Sequence, residues 1–425
     1  MEIKQSIIFS GKNNYLITGR KFFNIGIFLL PSAPVLSAIS LFISVVIGSI
    51  NRKDNFFKDK WNYPLFATSL LMITGNLLRS FQLINNSVKI DNLNLWMDLF
   101  NWLPMFYIFW ACKCYLIRPK DRKTTIRIVL LSSVPVLISG ILQYYYEIYG
   151  PFSIGNGIII WYQRDISDQK SLTGLFNNPN YAANWLSIIW TLSLTYTIQS
   201  FKSNLKPNWQ KLILFIFNFL IGLNIILTNS RNGLLSMILF ITIILAKTVN
   251  LKIFLIILFL FIPFILFFIY SPFFDIDSVP RLIKGKLQFS SIKDLEKLPR
   301  FKIFQISLNQ IFKNPIFGLG ASSFPIIFAL LGDRFKTNNI QHTHNLITEV
   351  AFNYGIFTSL LLFSTICYLI RKNWIKENKS NEDIGWICAA SSILIFNFFD
   401  FTYYDARISL IFWILLSGLR ASIAK

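Results

Sequence analysis

The chain has two histidines, and both fall in Gln341-His342-Thr343-His344-Asn345, followed by Glu349 and Gly355. Imidazole changes charge near neutral pH, so such a pair suits either proton transfer or metal binding. His-x-His spacing alone does not make a metal site, and no third or fourth ligand of suitable spacing is visible, so no metal is expected. Two arginine sites add fixed positive charge. In Leu227-Thr228-Asn229-Ser230-Arg231-Asn232-Gly233, a short turn between two apolar runs, Arg231 fits either an interfacial anchor that snorkels or one side of an anion site. Leu298-Pro299-Arg300-Phe301 leads into Asn314-Pro315-Ile316-Phe317-Gly318-Leu319-Gly320. Arg300 by itself is an ordinary solvated loop charge. Gly318-x-Gly320 falls well short of a dinucleotide fingerprint, because no parallel sheet is expected around it.

The elements that must position these residues are membrane helices. Of 425 residues, 54% are hydrophobic and only 14% charged, with a mean hydropathy of +0.52. One soluble core cannot hide that much apolar surface. Collagen-like, disulfide-rich secreted and disordered classes are excluded. The 41 Lys and Arg against 20 Asp and Glu, a net +21, would suggest nucleic acid in a soluble protein. Here most of the excess lies in short loops between apolar runs, where it sets orientation, so no nucleic-acid partner is expected. Cys112, Cys114, Cys367 and Cys388 lie within or beside apolar runs and give no disulfide framework.

The apolar run at 22–50 is too long and too proline-broken for a signal peptide. Further spans are expected at 62–80, 96–117, 126–147, 181–199, 209–228, 232–249, 251–270, 346–370, 384–400 and 406–424. Basic loops at 51–60, 118–127, 200–211, 247–252 and 371–379 face the cytoplasm. The basic N-terminus wants the same side as 51–60, although one run separates them. Its Leu30-Pro31-Ser32-Ala33-Pro34 centre therefore predicts a tight hairpin or re-entrant pair, with short or tilted arms, because two crossings usually take about 40 residues. The fold class is an all-α polytopic membrane protein of eleven to twelve transmembrane helices, residues 1–425 forming one unit with both termini cytoplasmic. The alternating loops at 148–180 and 271–345 are long and outward, as functional loops are. Within the second, 298–312 is expected as a helix on the membrane surface with Phe301, Phe304, Leu308 and Ile311 on one side.

Four stretches, in this order, resemble the O-antigen ligase and O-antigen polymerase superfamily, which includes bacterial protein O-oligosaccharyltransferases. They are Phe176-Asn177-Asn178-Pro179-Asn180, Ser230-Arg231, Arg300 with Asn314-Pro315 and Gly318-x-Gly320, and His344-Asn345 separated by nine residues from Gly355. The family pattern continues Gly-x-x-Gly, and this chain has Thr358 at the second glycine. The matching core is about 176–360. The segment Phe399-Asp400-Phe401-Thr402-Tyr403-Tyr404-Asp405-Ala406-Arg407 looks like cyanobacterial members, some of which are labelled bicarbonate transporters, so transport is the alternative reading.

The resemblance implies a glycosyltransferase of the inner membrane, working at its periplasmic face in lipopolysaccharide or other cell-envelope polysaccharide biosynthesis. The donor would be a glycan on a polyprenyl diphosphate such as undecaprenyl diphosphate, and the acceptor a hydroxyl of lipid A core, of a glycan or of a protein. Arg231 and Arg300 would bind the diphosphate, since guanidinium is always charged and bidentate. His344 would be the base for the acceptor hydroxyl, contributing about 100- to 10,000-fold. Asn345 or Glu349 would orient it, with His342, Asn178, Asn180 and Gly320 in support. Direct displacement would invert the anomeric centre, with neither metal nor cofactor required. Ligase, polymerase and protein oligosaccharyltransferase are not separated by these residues.

Overall fold

The computed structural model describes residues 2–50, 56–81, 91–167, 170–202, 207–249, 299–331, 340–377 and 379–423. The span expected at 251–270 and much of the 271–345 loop lie outside the described residues. Helices α1 (Glu2–Leu29) and α2 (Pro34–Ile50) form an antiparallel hairpin about a turn at 30–33, where Pro34 cannot continue a helix from α1. Ser37 Oγ donates to the Gly26 carbonyl at 2.6 Å and ties the arms together. The first arm is not short: α1 takes in the polar N-terminal segment and reaches 28 residues.

Next come α3 (Tyr63–Ser80), α4 (Asn92–Met97), a 3-10 turn at Asp98–Asn101, α5 (Leu103–Ala111), α6 (Lys113–Leu116), α7 (Pro119–Ser132) and α8 (Val134–Tyr145). The run at 96–117 is thus broken rather than one helix. Asp98 is buried inside it and needs partners, taking Tyr354 Oη at 2.5 Å and Asn101 Nδ2 at 2.9 Å, and Pro104 permits a helix only from its own first turn onward. The run at 126–147 breaks at Ser133, just ahead of Pro135, for the same reason.

A two-stranded antiparallel ribbon, β1 (Phe152–Ile154) and β2 (Ile159–Trp161), occupies the segment expected to be loop. Gly155, Asn156 and Gly157 all have positive φ at its tip, the conformation that Asn-Gly pairs supply in tight hairpins. Trp161 Nε1 donates to the Ser32 carbonyl at 2.8 Å, docking the ribbon on the α1–α2 turn.

Then follow α9 (Pro179–Lys202), α10 (Asn208–Leu227), α11 (Arg231–Thr248), α12 (Pro299–Lys313), α13 (Phe324–Leu331), α14 (Leu346–Tyr354), α15 (Ile356–Ile375), α16 (Asn381–Phe399) and α17 (Ala406–Ile423). The span expected at 346–370 is split at Gly355 into α14 and α15. In α12 the expected apolar side divides: Ile303, Ser307 and Ile311 are buried, whereas Phe301 and Phe304 are exposed.

Among the described residues, five helical stretches are long and apolar enough to cross a membrane: Pro119–Tyr145, Asn208–Leu227, Arg231–Thr248, Asn381–Phe399 and Ala406–Ile423. Burial separates them. α17 is 89% buried and forms the axis of the bundle, whereas α10 is 33% buried and turns Leu212, Phe215 and Phe219 outward, an apolar face suited to hydrocarbon. Around α17, Trp413 packs on Phe106 and Phe109. Arg79, Arg407 and Arg420 are buried, yet each lies in the first or last turn of its helix. Arg420 is held there by Asp59, Asn62 and the Phe109 carbonyl. Charge burial of this kind is costly unless paired, and helix ends offer the partners.

Candidate active site

The site is built on α14. Asn345 caps its N-terminus, with Oδ1 accepting from the backbone N–H groups of Ile347 and Thr348 at 2.9 and 3.1 Å. Gly355 ends it at φ 93°, a left-handed conformation that costs any residue with a Cβ. The nine residues between Asn345 and Gly355 are therefore the whole of α14. A Cβ on Gly355 would stand 2.0 Å from the Ile316 carbonyl oxygen, and one on Gly318 would stand 2.4 Å from that of Phe352. Across this close approach Leu319 N donates to Phe352 O, Gly320 N to Asn353 O and Ile356 N to Pro315 O, at 2.6, 3.0 and 2.7 Å. The Gly318-x-Gly320 turn is thus a dock for the end of α14. It sets α12 alongside α14 and returns Arg300 to the histidine end.

His344 has φ 56°, an uncommon conformation for a side chain of its size. The turn is over-determined by its neighbours: Thr343 N donates to Glu349 Oε2 and Thr343 Oγ1 to the Asn345 carbonyl, both at 2.9 Å. In this pose His344 Nδ1 lies 3.1 Å from Asp400 Oδ1. Asp400 caps the C-terminal end of α16 and gathers several elements. Its Oδ2 accepts from Asn180 Nδ2 in the first turn of α9, its Oδ1 from Phe401 N at 2.9 Å, and Arg300 Nη2 stands 3.7 Å away. Arg300 Nη1 also donates to the Phe399 carbonyl at 2.9 Å, and Asn345 Nδ2 to that of Phe398 at 2.9 Å.

Burial pushes the Asp400 carboxyl upward, but the His344 hydrogen bond and the Arg300 charge outweigh it and hold the group below the usual carboxylate value. An ionised carboxylate only accepts, so the proton of a neutral His344 sits on Nδ1 and Nε2 keeps its lone pair. The His344 side chain is 36% exposed and that of Asp400 8%, which leaves the imidazole open and its partner covered.

His342 belongs to a separate pair. Its Nδ1 lies 3.4 Å from Glu349 Oε1, and its ring packs on Phe401 and Tyr404, with centroids 4.7 and 5.1 Å apart. The two histidines address different carboxylates and do not converge on a point, and among the described residues no three His, Cys, Asp or Glu side chains group as metal ligands. The structure does not bring Glu349, expected beside His344, to that ring. Glu349 serves His342, the Thr343 backbone and Asn353, and the Asn345 side chain is taken up by the cap and the Phe398 tether. Asp400 fills that place and was not singled out from sequence. The available signal was its position, the one acid between Asp383 and Asp405, directly after an apolar run.

Asn178 Oδ1 accepts from Asn180 N at 2.8 Å, a local turn that opens α9 and aims Asn180 at Asp400. The preceding residues are held by Arg407, which forks onto Asp405 at 2.8 and 2.5 Å, donates to the Leu175 carbonyl at 3.1 Å and lies over the Phe176 ring at 3.8 Å. Arg231 is exposed at the start of α11, where Ser230 Oγ accepts from Gly233 N at 3.3 Å. A Cβ on Gly233 would stand 3.0 Å from the Ala183 Cβ, which places Arg231 beside the first turns of α9, at the end of the bundle that carries Asp400. Among the described residues, the structure brings His344, Asp400, Asn180, Asn345 and Arg300 into one cluster. Arg231 shares their end without touching them, and among the described residues no carboxylate pairs with it.

A carboxylate-backed imidazole whose other nitrogen keeps its lone pair, beside the Arg300 guanidinium, can take a proton from a hydroxyl while an anion is held nearby. Residues 216–363, from within α10 to within α15, match the family model described as O-antigen ligase. No curated protein matches the chain.

Proposed function

The chain belongs to the O-antigen ligase superfamily, and from that premise we propose that it is a membrane glycosyltransferase moving a glycan from a polyprenyl diphosphate to an acceptor hydroxyl. The observation that carries the reading is the His344–Asp400 pair, 3.1 Å apart, with Arg300 at the same carboxylate. In the proposed step, His344 Nε2 takes the proton of the acceptor hydroxyl as its oxygen bonds to the anomeric carbon. The bond from that carbon to the diphosphate breaks, its electrons leave on the diphosphate oxygen, and the configuration inverts. Asp400 stabilises the imidazolium that forms. Arg300 and Arg231 take the growing negative charge, a role worth roughly 3 to 4 kcal/mol for one well-placed donor. With so good a leaving group no general acid is needed.

The proposal places this end of the bundle in the periplasm and the basic loops in the cytoplasm, with eleven to twelve crossings of the inner membrane and 176–360 as the ligase-like core. The middles of α10, α11, α16 and α17 carry no charged residue, which supports chemistry at the interface, whereas transporters commonly gather polar groups near the midplane. His344→Ala is the test: glycan transfer is expected to be abolished with membrane insertion intact, and full activity in that variant removes the base assignment. Glycan profiling of a deletion strain identifies the acceptor. Uncapped lipid A core means a ligase, single repeats a polymerase, and unmodified protein an oligosaccharyltransferase.

A further inference from the structure

α15 begins one residue after α14 ends and runs for 20 residues, about 30 Å, away from the docked glycines. Near its far end α15 and α17 border a cavity of about 500 Å³ lined by Tyr368, Arg371, Lys372, Ile375, Lys376 and Ser422. Three cations converge on it. Lys372 Nζ lies over the rings of Trp61 and Tyr368, at 5.6 and 5.9 Å from their centroids. Lys376 Nζ donates to the Ser422 carbonyl at 2.9 Å, in the last turn of α17, where backbone carbonyls attract positive charge. Arg371 is exposed. Among the described residues no carboxylate pairs with these three, and Asp59, in the turn that carries Trp61, is taken by Arg420 and Lys113.

The rest of the wall is apolar. The side chains of Tyr368 and Ile375 are exposed and Ile423 completes the lining. Charges that serve only to fix orientation sit best in water, spread along a loop; here they ring a concavity beside greasy side chains. Cations uncompensated by acid call for an anion, and the adjoining apolar surface calls for a chain to cover it. We propose that this cavity binds the phosphate group of an anionic membrane lipid, with Arg371 and Lys372 on the phosphate and the hydrocarbon against Tyr368, Ile375 and Ile423. The site is remote from His344 and independent of the transferase reading. A free phosphate shares the headgroup chemistry but has nothing to lay against the apolar wall.

The test uses the purified full-length chain in detergent, titrated with fluorescent phosphatidylglycerol, with phosphatidylcholine and with inorganic phosphate. Phosphatidylglycerol is expected to bind saturably and more tightly than phosphatidylcholine. R371Q/K372Q should weaken it by about tenfold or more, from the attraction that each basic residue exerts on anionic lipid. K120Q/K211Q, which removes the same charge from the first turns of α7 and α10, should leave it unchanged, and the single variant R371Q gives the same reading if the double variant does not fold. Inorganic phosphate that binds as tightly, and is lost in R371Q/K372Q, overturns the lipid as occupant. Equal binding of the two lipids, unchanged affinity in R371Q/K372Q, or an equal loss in K120Q/K211Q overturns the site.

Discussion

His344 Nδ1 and Asp400 Oδ1 stand 3.1 Å apart although 56 residues separate them in the chain. Each is also fixed by its own surroundings, independently of the other. The histidine is held by a left-handed turn at the head of α14, the aspartate by Asn180 and by the Phe401 backbone N–H at the end of α16.

Asp400→Asn keeps the shape and removes the charge. An amide can donate as well as accept, so it no longer dictates which imidazole nitrogen carries the proton. Turnover is expected to fall by about 100- to 10,000-fold with little change in donor KM, as for a partner that acts through the base. Glu349→Gln, which disturbs His342 instead, should cost less than about tenfold. Equal losses in the two variants would show that Asp400 has no special relation to the base.

Acid dependence of stability follows from the same group. The Asp400 carboxyl is held below its unfolded value, so its contribution is fully present above about pH 4 and is lost as pH falls through the lower, folded value. The difference in melting temperature between wild type and Asp400→Asn should stay constant from pH 7 down to about pH 4 and shrink below that. A difference that disappears between pH 7 and pH 5 contradicts the depressed carboxyl.

Arg300→Lys retains charge but cannot reach the Phe399 carbonyl and a phosphate oxygen together, as the fork can. Transfer by this variant is expected to drop by about 10- to 1,000-fold. Arg231→Lys should fall similarly. Kinetics with a lipid-linked donor measure both, and unchanged rates would end the bidentate assignment.

Gly355→Ala places a Cβ against the Ile316 carbonyl at a strained φ. The variant should be destabilised by about 3 kcal/mol or more, with reduced yield and melting temperature. Thr358→Gly is the contrast. Thr358 is buried and its Oγ1 donates to the Tyr354 carbonyl at 2.8 Å, so the change should cost about 1 kcal/mol and leave transfer near wild type.

Much of this was legible from sequence because hydropathy and proline placement act locally. The break at 30–33, the turn at Arg231 and the histidine segment 341–345 at the head of a helix all follow from residues close in the chain. What escaped depends on distant partners. Asp98 interrupts an apolar run because Tyr354 reaches it from α14, and Asp400 acquires its place only when α9, α12 and α16 come together. The β1–β2 ribbon is a different case, since Asn156-Gly157 between isoleucines is a local hairpin signal inside the segment 148–180, whose length and polarity otherwise resemble a loop.

The length of α14 has one more consequence. Asn345 caps one end and Gly355 locks the other, and each residue of an α-helix advances about 1.5 Å and turns about 100°. Adding or deleting one residue between them would shift the histidine little in position but swing it a quarter-turn or more in azimuth, away from Asp400. The nine-residue interval works as a phase setting, and a single-residue insertion in α14 should silence transfer as completely as loss of the imidazole itself.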